Sequence, residues 1–283
     1  YHVAIFHLFT HAFFKALLFL GSGSVIHSLN EEQDIGNMGG LWKKMPYTWI
    51  SMLVGTLALT GFPFLSGFYS KDAIIEFSYL SGTSVGYFAT MVGIITAFLT
   101  AIYSWRLIFK TFHGKFNNKK LNLSDIHDSG LIIILPLSVL VIGAIFAGFI
   151  FKDFLIGNSS MDFWKNSIFF LDQIYHSDVP FWVLYLTPAI VIIAIPLSYY
   201  LYIKNTKLLE YVTLKNQPIY KFLLNKWYFD EIYELIFIKP TKAIGAFFWK
   251  AGDVKTIDRL GPDGISKIIK SISEKAIKLQ SGY

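Results

Sequence analysis

The chain has 283 residues, of which 54% are hydrophobic, 18% aromatic and 16% charged. Soluble globular domains carry about 25% charged residues, and here the apolar residues fall into runs of roughly 20, the length that crosses a hydrocarbon core. The net charge of +6 rests on lysines in loops and one amphipathic tail, which excludes a nucleic-acid partner, and the lack of cysteine excludes disulfides, iron–sulfur ligation and thiol chemistry.

Tyr1 opens inside an apolar run without a signal peptide, which reads as a cut within a longer chain, and the end over 280–283 has no evident cap. The first span is expected over residues 3–29 and is followed by a polar loop, 30–46, with Gly39 and Gly40 as breakers. The second stretch, 47–80, is longer than one straight crossing needs. Pro63 cannot supply an amide to the helix ladder, so this stretch predicts a discontinuous helix, interrupted at Gly61 to Pro63 and again at Gly67. Such a break is tolerated in a membrane where protein or a watery cavity satisfies the freed backbone groups. Three more spans are expected over 85–109, 131–151 and 181–203, the last bent at Pro188 and Pro196.

The loop charges set an orientation. Arg106, Lys110, Lys115, Lys119 and Lys120 follow the third span, and Lys204, Lys207, Lys215, Lys221 and Lys226 follow the fifth. The intervening loop has Lys152 and Lys165 against Asp153, Asp162, Asp172 and Asp178. The basic segments, and by alternation the 30–46 loop, are expected on the cytoplasmic or matrix side.

The tail differs in kind. Ile244, Phe247, Phe248, Ala251, Val254 and Ile257, then Ile265, Ile268, Ile269, Ile272 and Ala276, recur at helical spacing, with Lys267, Lys270, Lys275 and Lys278 on other faces. Residues 232–279 would extend about 70 Å as helix, with charge throughout, so they do not cross the bilayer. An interfacial helix lying on lipid and a brace across neighbouring subunits fit the periodicity equally. The expected fold is all-α: a polytopic transmembrane bundle with broken helices over 1–204, a cytoplasmic or matrix-side connection over 205–231, and a long amphipathic lateral helix over 232–280.

Ionisable residues inside the apolar runs carry the chemistry. His7, His11 and Lys15 recur every fourth residue and share one stripe of a helix. A lysine at mid-bilayer costs on the order of 2.5–3.5 kcal/mol, and a stripe of three suits a proton path. Two histidines one turn apart would also suit a metal or a haem pair, but Lys15 one turn further would repel a cation. Ser70, Lys71 and Asp72 follow the helix break, with Glu76 one turn on. Lys71 and Asp72, as sequence neighbours, meet different partners. A buried lysine that loses its proton and regains it as a carboxylate moves close is the core of a charge-coupled pump. Lys71 and Asp72 marking the membrane surface is the simpler alternative. Thr10, Thr96 and Thr100 are weaker water-path candidates, since threonine in a helix often bonds its own backbone. Asp34 and Glu76 are candidate gate partners, whereas His27 and His113 read as surface residues near span ends.

The stretch from His7 through His27, the Met38 to Leu41 segment, Leu57 to Pro63 and Gly67 to Asp72 resemble the antiporter-like membrane subunits of respiratory complex I (NADH–quinone oxidoreductase). The resemblance is nearest to subunit L of the bacterial enzyme, called chain 5 in mitochondria. Trp227 to Tyr233, leading into a lateral helix, follows the same plan. The resemblance implies that Lys71 with Asp72 serves the exit side of a proton channel, and that His7, His11 and Lys15 belong to a central hydrophilic axis. It implies that the lateral helix runs along other membrane subunits of the complex, and that flavin and iron–sulfur clusters sit in partner subunits with no cofactor or metal in this chain. It places the chain in a bacterial inner membrane in preference to a mitochondrial one. The family's N-terminal half and its final helix are absent from this sequence. Multisubunit sodium/proton antiporters and membrane-bound hydrogenases share these motifs and are the alternative.

Overall fold

The computed structural model describes residues 1–118, 121–165, 167–169, 179–279 and 282. Lys119, Lys120, Asp172, Asp178 and Gln280 lie outside the described residues. The chain forms two compact units, Tyr1–Glu210 and Tyr211–Tyr283. It is all-α, with no strand among the described residues.

The first unit is built on α1 (His2–Ser28), α2 (Pro46–Thr60), α3 (Ser66–Leu80), α4 (Ser84–Phe112) and α5 (Leu131–Ile156). A short α6 (Ser160–Trp164) follows, then α7 (Phe181–Tyr199), which runs on through both Pro188 and Pro196 into a π-helical turn over Tyr200–Lys204. Four of these helices are long and apolar enough to cross a membrane alone: His2–Ser28, Ser84–Phe112, Leu131–Ile156 and Phe181–Lys204. The 15-residue helices α2 and α3 are each too short to cross alone.

Helix α1 packs against α2, α3 and α5, while α4 packs against α2, α3 and α7. Phe14, Leu17, Ala58, Leu137 and Ala144 form the core around α1. Outward faces stay apolar, as at Phe88, Ile132 and Phe149, which suits lipid rather than water. Association in lipid rests on close packing and interhelical hydrogen bonds, because acyl chains are as apolar as leucine.

At one end of this unit the loops interlock. Gly40 N donates to His113 O at 3.1 Å and Asn117 Nδ2 donates to Gly36 O at 2.8 Å. Asp128, in the loop before α5, accepts from Tyr47 N, Thr48 N and the Thr48 hydroxyl at 2.7 to 3.0 Å, and so caps the N-terminus of α2. Beside it the hydroxyls of Ser24, Thr48 and Ser129 form a buried chain. The 30–46 loop thus shares one end of the bundle with the loop after α4, as alternating spans require. His113 departs from the surface position expected of it. It is half-buried, with its ring edge-on to Trp49 and Phe109, because the interlocked loops close over the end of α4.

The second unit is a succession of helical segments joined by short turns at Asn216, Asn225 and Gly261. Helices α8 (Thr206–Lys215), within which the two units divide, and α9 (Gln217–Leu224) precede a kink at Lys226, Trp227 and Tyr228, all three with positive φ. From α10 (Phe229–Tyr233) the chain stays helical through π-helical Glu234–Ile238, α11 (Lys239–Phe247), π-helical Phe248–Asp258 and, after a turn at Gly261, α12 (Pro262–Leu279). The π-helical stretches carry one extra residue per turn and rotate the apolar stripe relative to a regular helix.

Candidate functional site

The break between α2 and α3 positions the site. Helix α2 ends at Thr60, Gly61 adopts φ +83°, and Phe62 N bonds back to Leu57 O at 2.9 Å, a common helix ending in which glycine takes the left-handed conformation without steric cost. Pro63 lies between the two helices. Gly67 does not interrupt the chain, as expected of it, but sits in the first turn of α3. A Cβ there would fall 1.8 Å from the Ala58 carbonyl oxygen, so glycine serves the close approach of two backbones.

That approach folds α3 back beside the end of α2. The Lys71 ammonium donates to the carbonyl oxygen of Thr60 at 3.3 Å. This carbonyl is among the last of α2 and has no intrahelical partner of its own. The cation also sits at the negative end of the α2 dipole, the placement used for cations at broken helices in transporters. Asp72 points elsewhere: it is buried, and neither carboxylate oxygen has a hydrogen-bond partner among the described residues. Glu76 is half-buried one turn on, within electrostatic reach of Lys152, whose ammonium lies over the Tyr69 ring.

Across the α1–α3 contact, His7 Nδ1 and Ser70 Oγ are 3.0 Å apart, and Thr10 Oγ1 donates to Ser70 Oγ at 2.7 Å. His7 lies within electrostatic reach of Lys71 on α3 and of His11 on its own helix. The His7 and His11 rings are 5.6 Å apart between centroids. Lys15, one turn further, lines a cavity of about 420 Å³ between α1, α2 and α4, together with Ser22, Thr56, Tyr103 and Ser104.

The structure therefore puts His7 within electrostatic reach of Lys71, places His11 between His7 and Lys15 on α1, and puts Lys15 at a cavity that neither His7 nor Lys71 lines. Thr96 is exposed and Thr100 half-exposed on α4, and Asp34 caps a turn in an exposed loop by accepting from Gly36 N. Two contributors escaped the sequence reading. The Thr60 carbonyl is main chain and carries no residue-type signal. Ser66 on α3 accepts from Gly148 N and donates to Gly143 O on α5, visible only as a small polar residue beside the break. Among the described residues no group of three or more histidine or acidic side chains could hold a metal ion.

A bundle of apolar helices that holds half-buried lysine and histidine and a buried carboxylate beside a broken helix is the build of a polytopic membrane protein. Residues 1–102 match the family model described as NADH:quinone oxidoreductase/Mrp antiporter, TM, and residues 103–283 match NADH dehydrogenase subunit 5 C-terminus. The chain belongs to the NADH dehydrogenase subunit 5 family. It is 42% identical over its whole length to NADH-ubiquinone oxidoreductase chain 5 of Phytophthora infestans, and covers 44% of that protein. The corresponding protein of Marchantia polymorpha is 39% identical over the whole chain, with 43% of its length covered. NADH-quinone oxidoreductase subunit L of Rickettsia bellii is also 39% identical over the whole chain, with 44% covered. The chain thus spans less than half the length of these relatives.

Proposed function

We propose that this chain is part of the proton-translocating membrane subunit of an NADH–quinone oxidoreductase, and that it moves protons while quinone is reduced elsewhere in the complex. The observation that carries this reading is the Lys71 ammonium, held at the carbonyl end of a half-helix and within electrostatic reach of His7. A cation so placed is stabilised by a main-chain dipole that does not move. It can therefore respond to charge arriving on a neighbouring side chain. His7, His11 and Lys15 form the central polar axis of this scheme, and Lys71 with Asp72 serves the exit side. Asp72, without a hydrogen-bond partner among the described residues but within electrostatic reach of Lys71, is the group that can draw the lysine's proton onward.

The names of the relatives and the match of the tail to the subunit 5 C-terminus favour this reading over a sodium/proton antiporter or a membrane-bound hydrogenase. The second unit, including the lateral helix, is proposed to contact other membrane subunits and the bundle to lie in lipid, while flavin and iron–sulfur clusters are proposed to sit in partner subunits of the complex. The membrane is proposed to be an inner membrane, with the interlocked, lysine-rich end of the bundle on the cytoplasmic or matrix side. The relatives, from a bacterium and from eukaryotes, fit either compartment. The test is Lys71→Ala in the full-length subunit. With assembly verified, a large joint loss of pumping and NADH–quinone turnover supports the reading, and near-normal values for both overturn it.

A further inference from the structure

Ser70 is fully buried on α3, and its Oγ has three polar neighbours: His7 Nδ1 at 3.0 Å, Thr10 Oγ1 at 2.7 Å and Ser66 O at 3.4 Å. Thr10, equally buried, lies 3.2 Å from Phe6 O and 3.1 Å from His7 O. Each hydroxyl has one proton to donate and lone pairs to accept, whereas the carbonyls only accept. The direction of the chain His7–Ser70–Thr10 is therefore set by the imidazole.

With Nδ1 bare, Thr10 donates to Ser70, and Ser70 donates to Nδ1. With a proton on Nδ1, His7 donates to Ser70, Ser70 donates to Thr10, and Thr10 turns its proton to Phe6 O or His7 O. Every group is paired in both arrangements. Two O–H rotations accompany the change of state: the proton on Nδ1 arrives from the proton path or returns to it, making or breaking the N–H bond, while both hydroxyls keep their own protons. A buried donor or acceptor left unpaired is costly, so this arrangement removes a penalty that would otherwise favour one state of His7.

We propose that Ser70 and Thr10 form a reversible hydroxyl pair that keeps His7 hydrogen-bonded whether or not Nδ1 carries a proton, which makes Ser70 a positioning residue of the proton path. The proposal rests on the reading that His7 handles protons. Because Ser70 precedes Lys71, the pair also ties the imidazole to the helix that carries the lysine. A spacer between α1 and α3 would need the volume of Ser70 and not its hydroxyl.

The experiment uses the full-length subunit in assembled complex, with Ser70→Ala, Ser70→Cys and Ser70→Thr beside Lys71→Ala. Pumping and turnover are measured in vesicles. The tautomer of His7 is followed by isotope-edited infrared spectroscopy, its band assigned by loss in His7→Gln. Ser70→Ala and Ser70→Cys are expected to lower pumping about tenfold, the lower end of what losing an outer hydrogen-bond partner costs a histidine in metal sites, and to shift the His7 band. Ser70→Thr is expected to restore most of the activity. A Ser70→Cys enzyme with wild-type pumping and an unshifted band overturns the hydroxyl pair. If Lys71→Ala is impaired while the Ser70 variants are not, only the hydroxyl pair fails; if Lys71→Ala pumps normally, the proton-path reading fails with it. Should Ser70→Thr not assemble, the band position in the alanine and cysteine variants decides.

Discussion

The Lys71 ammonium donates to the Thr60 carbonyl oxygen 3.3 Å away, across the gap that separates α2 from α3. One contact thereby satisfies an orphan carbonyl at a helix end and fixes a cation inside the apolar bundle. It also makes the roles of charge and of proton exchange separable by substitution.

Lys71→Arg retains a cation that can reach Thr60 O, but a guanidinium does not release its proton. The expected outcome is a complex that assembles like wild type and pumps about a hundredfold or more slowly, the lower end of what loss of one acid–base group costs. Blue-native electrophoresis and vesicle acidification measured on the same preparation check both halves. Wild-type pumping by the arginine variant would reduce Lys71 to a fixed charge.

Gly67→Ala puts a methyl group 1.8 Å from Ala58 O, an atom of the backbone that has no rotamer to change. Helices α2 and α3 must separate, at a cost of about 1–3 kcal/mol or more. Less assembled complex and a lower thermal midpoint are expected, together with slower turnover as the Lys71–Thr60 contact lengthens. Gly130→Ala, where a Cβ would meet nothing and the backbone has φ −66°, is the control and should be silent in thermal stability.

Asp128→Ala removes three bonds to the first turn of α2 at once. Loss of a helix N-cap costs about 0.5–2 kcal/mol, and the upper half of that range is expected here. Asp128→Asn keeps an acceptor and should fall between alanine and wild type in a detergent-resistance or thermal-shift measurement on the full-length subunit. Equal stability of all three proteins would show that the cap contributes nothing.

Burial among the interlocked loops pushes the His113 imidazole below its ordinary value of 6.5, and a backbone hydrogen bond at Ile108 opposes this only in part. A group whose folded pKa is depressed leaves stability intact above its unfolded value and erodes it as pH falls through the folded value. The end of the bundle should therefore loosen as pH drops below about 6.5. His113→Phe, which cannot take up a proton, should weaken that acid limb in a thermal-shift series taken from about pH 8 downward.

The long apolar helices, the break after α2 and the helical stripe of ionisable residues were legible in the sequence because each depends on neighbours along the chain. Run length reports a crossing, Pro63 reports a missing amide, and the fourfold spacing of His7, His11 and Lys15 reports a shared helix face. The expectation that Lys71 and Asp72 meet different surroundings came from the same geometry, since adjacent residues on a helix point apart. Gly67 misled for a related reason. A glycine near a proline reads as a breaker, whereas here its missing Cβ serves a contact with Ala58, nine residues earlier.

What the chain alone determines is thus the period, length and polarity of each helix. Only the tertiary structure decides which faces meet: Ser70 against His7 and Thr10, Lys71 against a main-chain oxygen, His113 between Trp49 and Phe109, and Asp128 on the N-terminus of α2. The physical reason is that helix rotation and pairing are set by close packing of small residues and by interhelical hydrogen bonds between segments distant in sequence. A carbonyl freed at a helix break leaves no mark in the residue types that its partner could be read from.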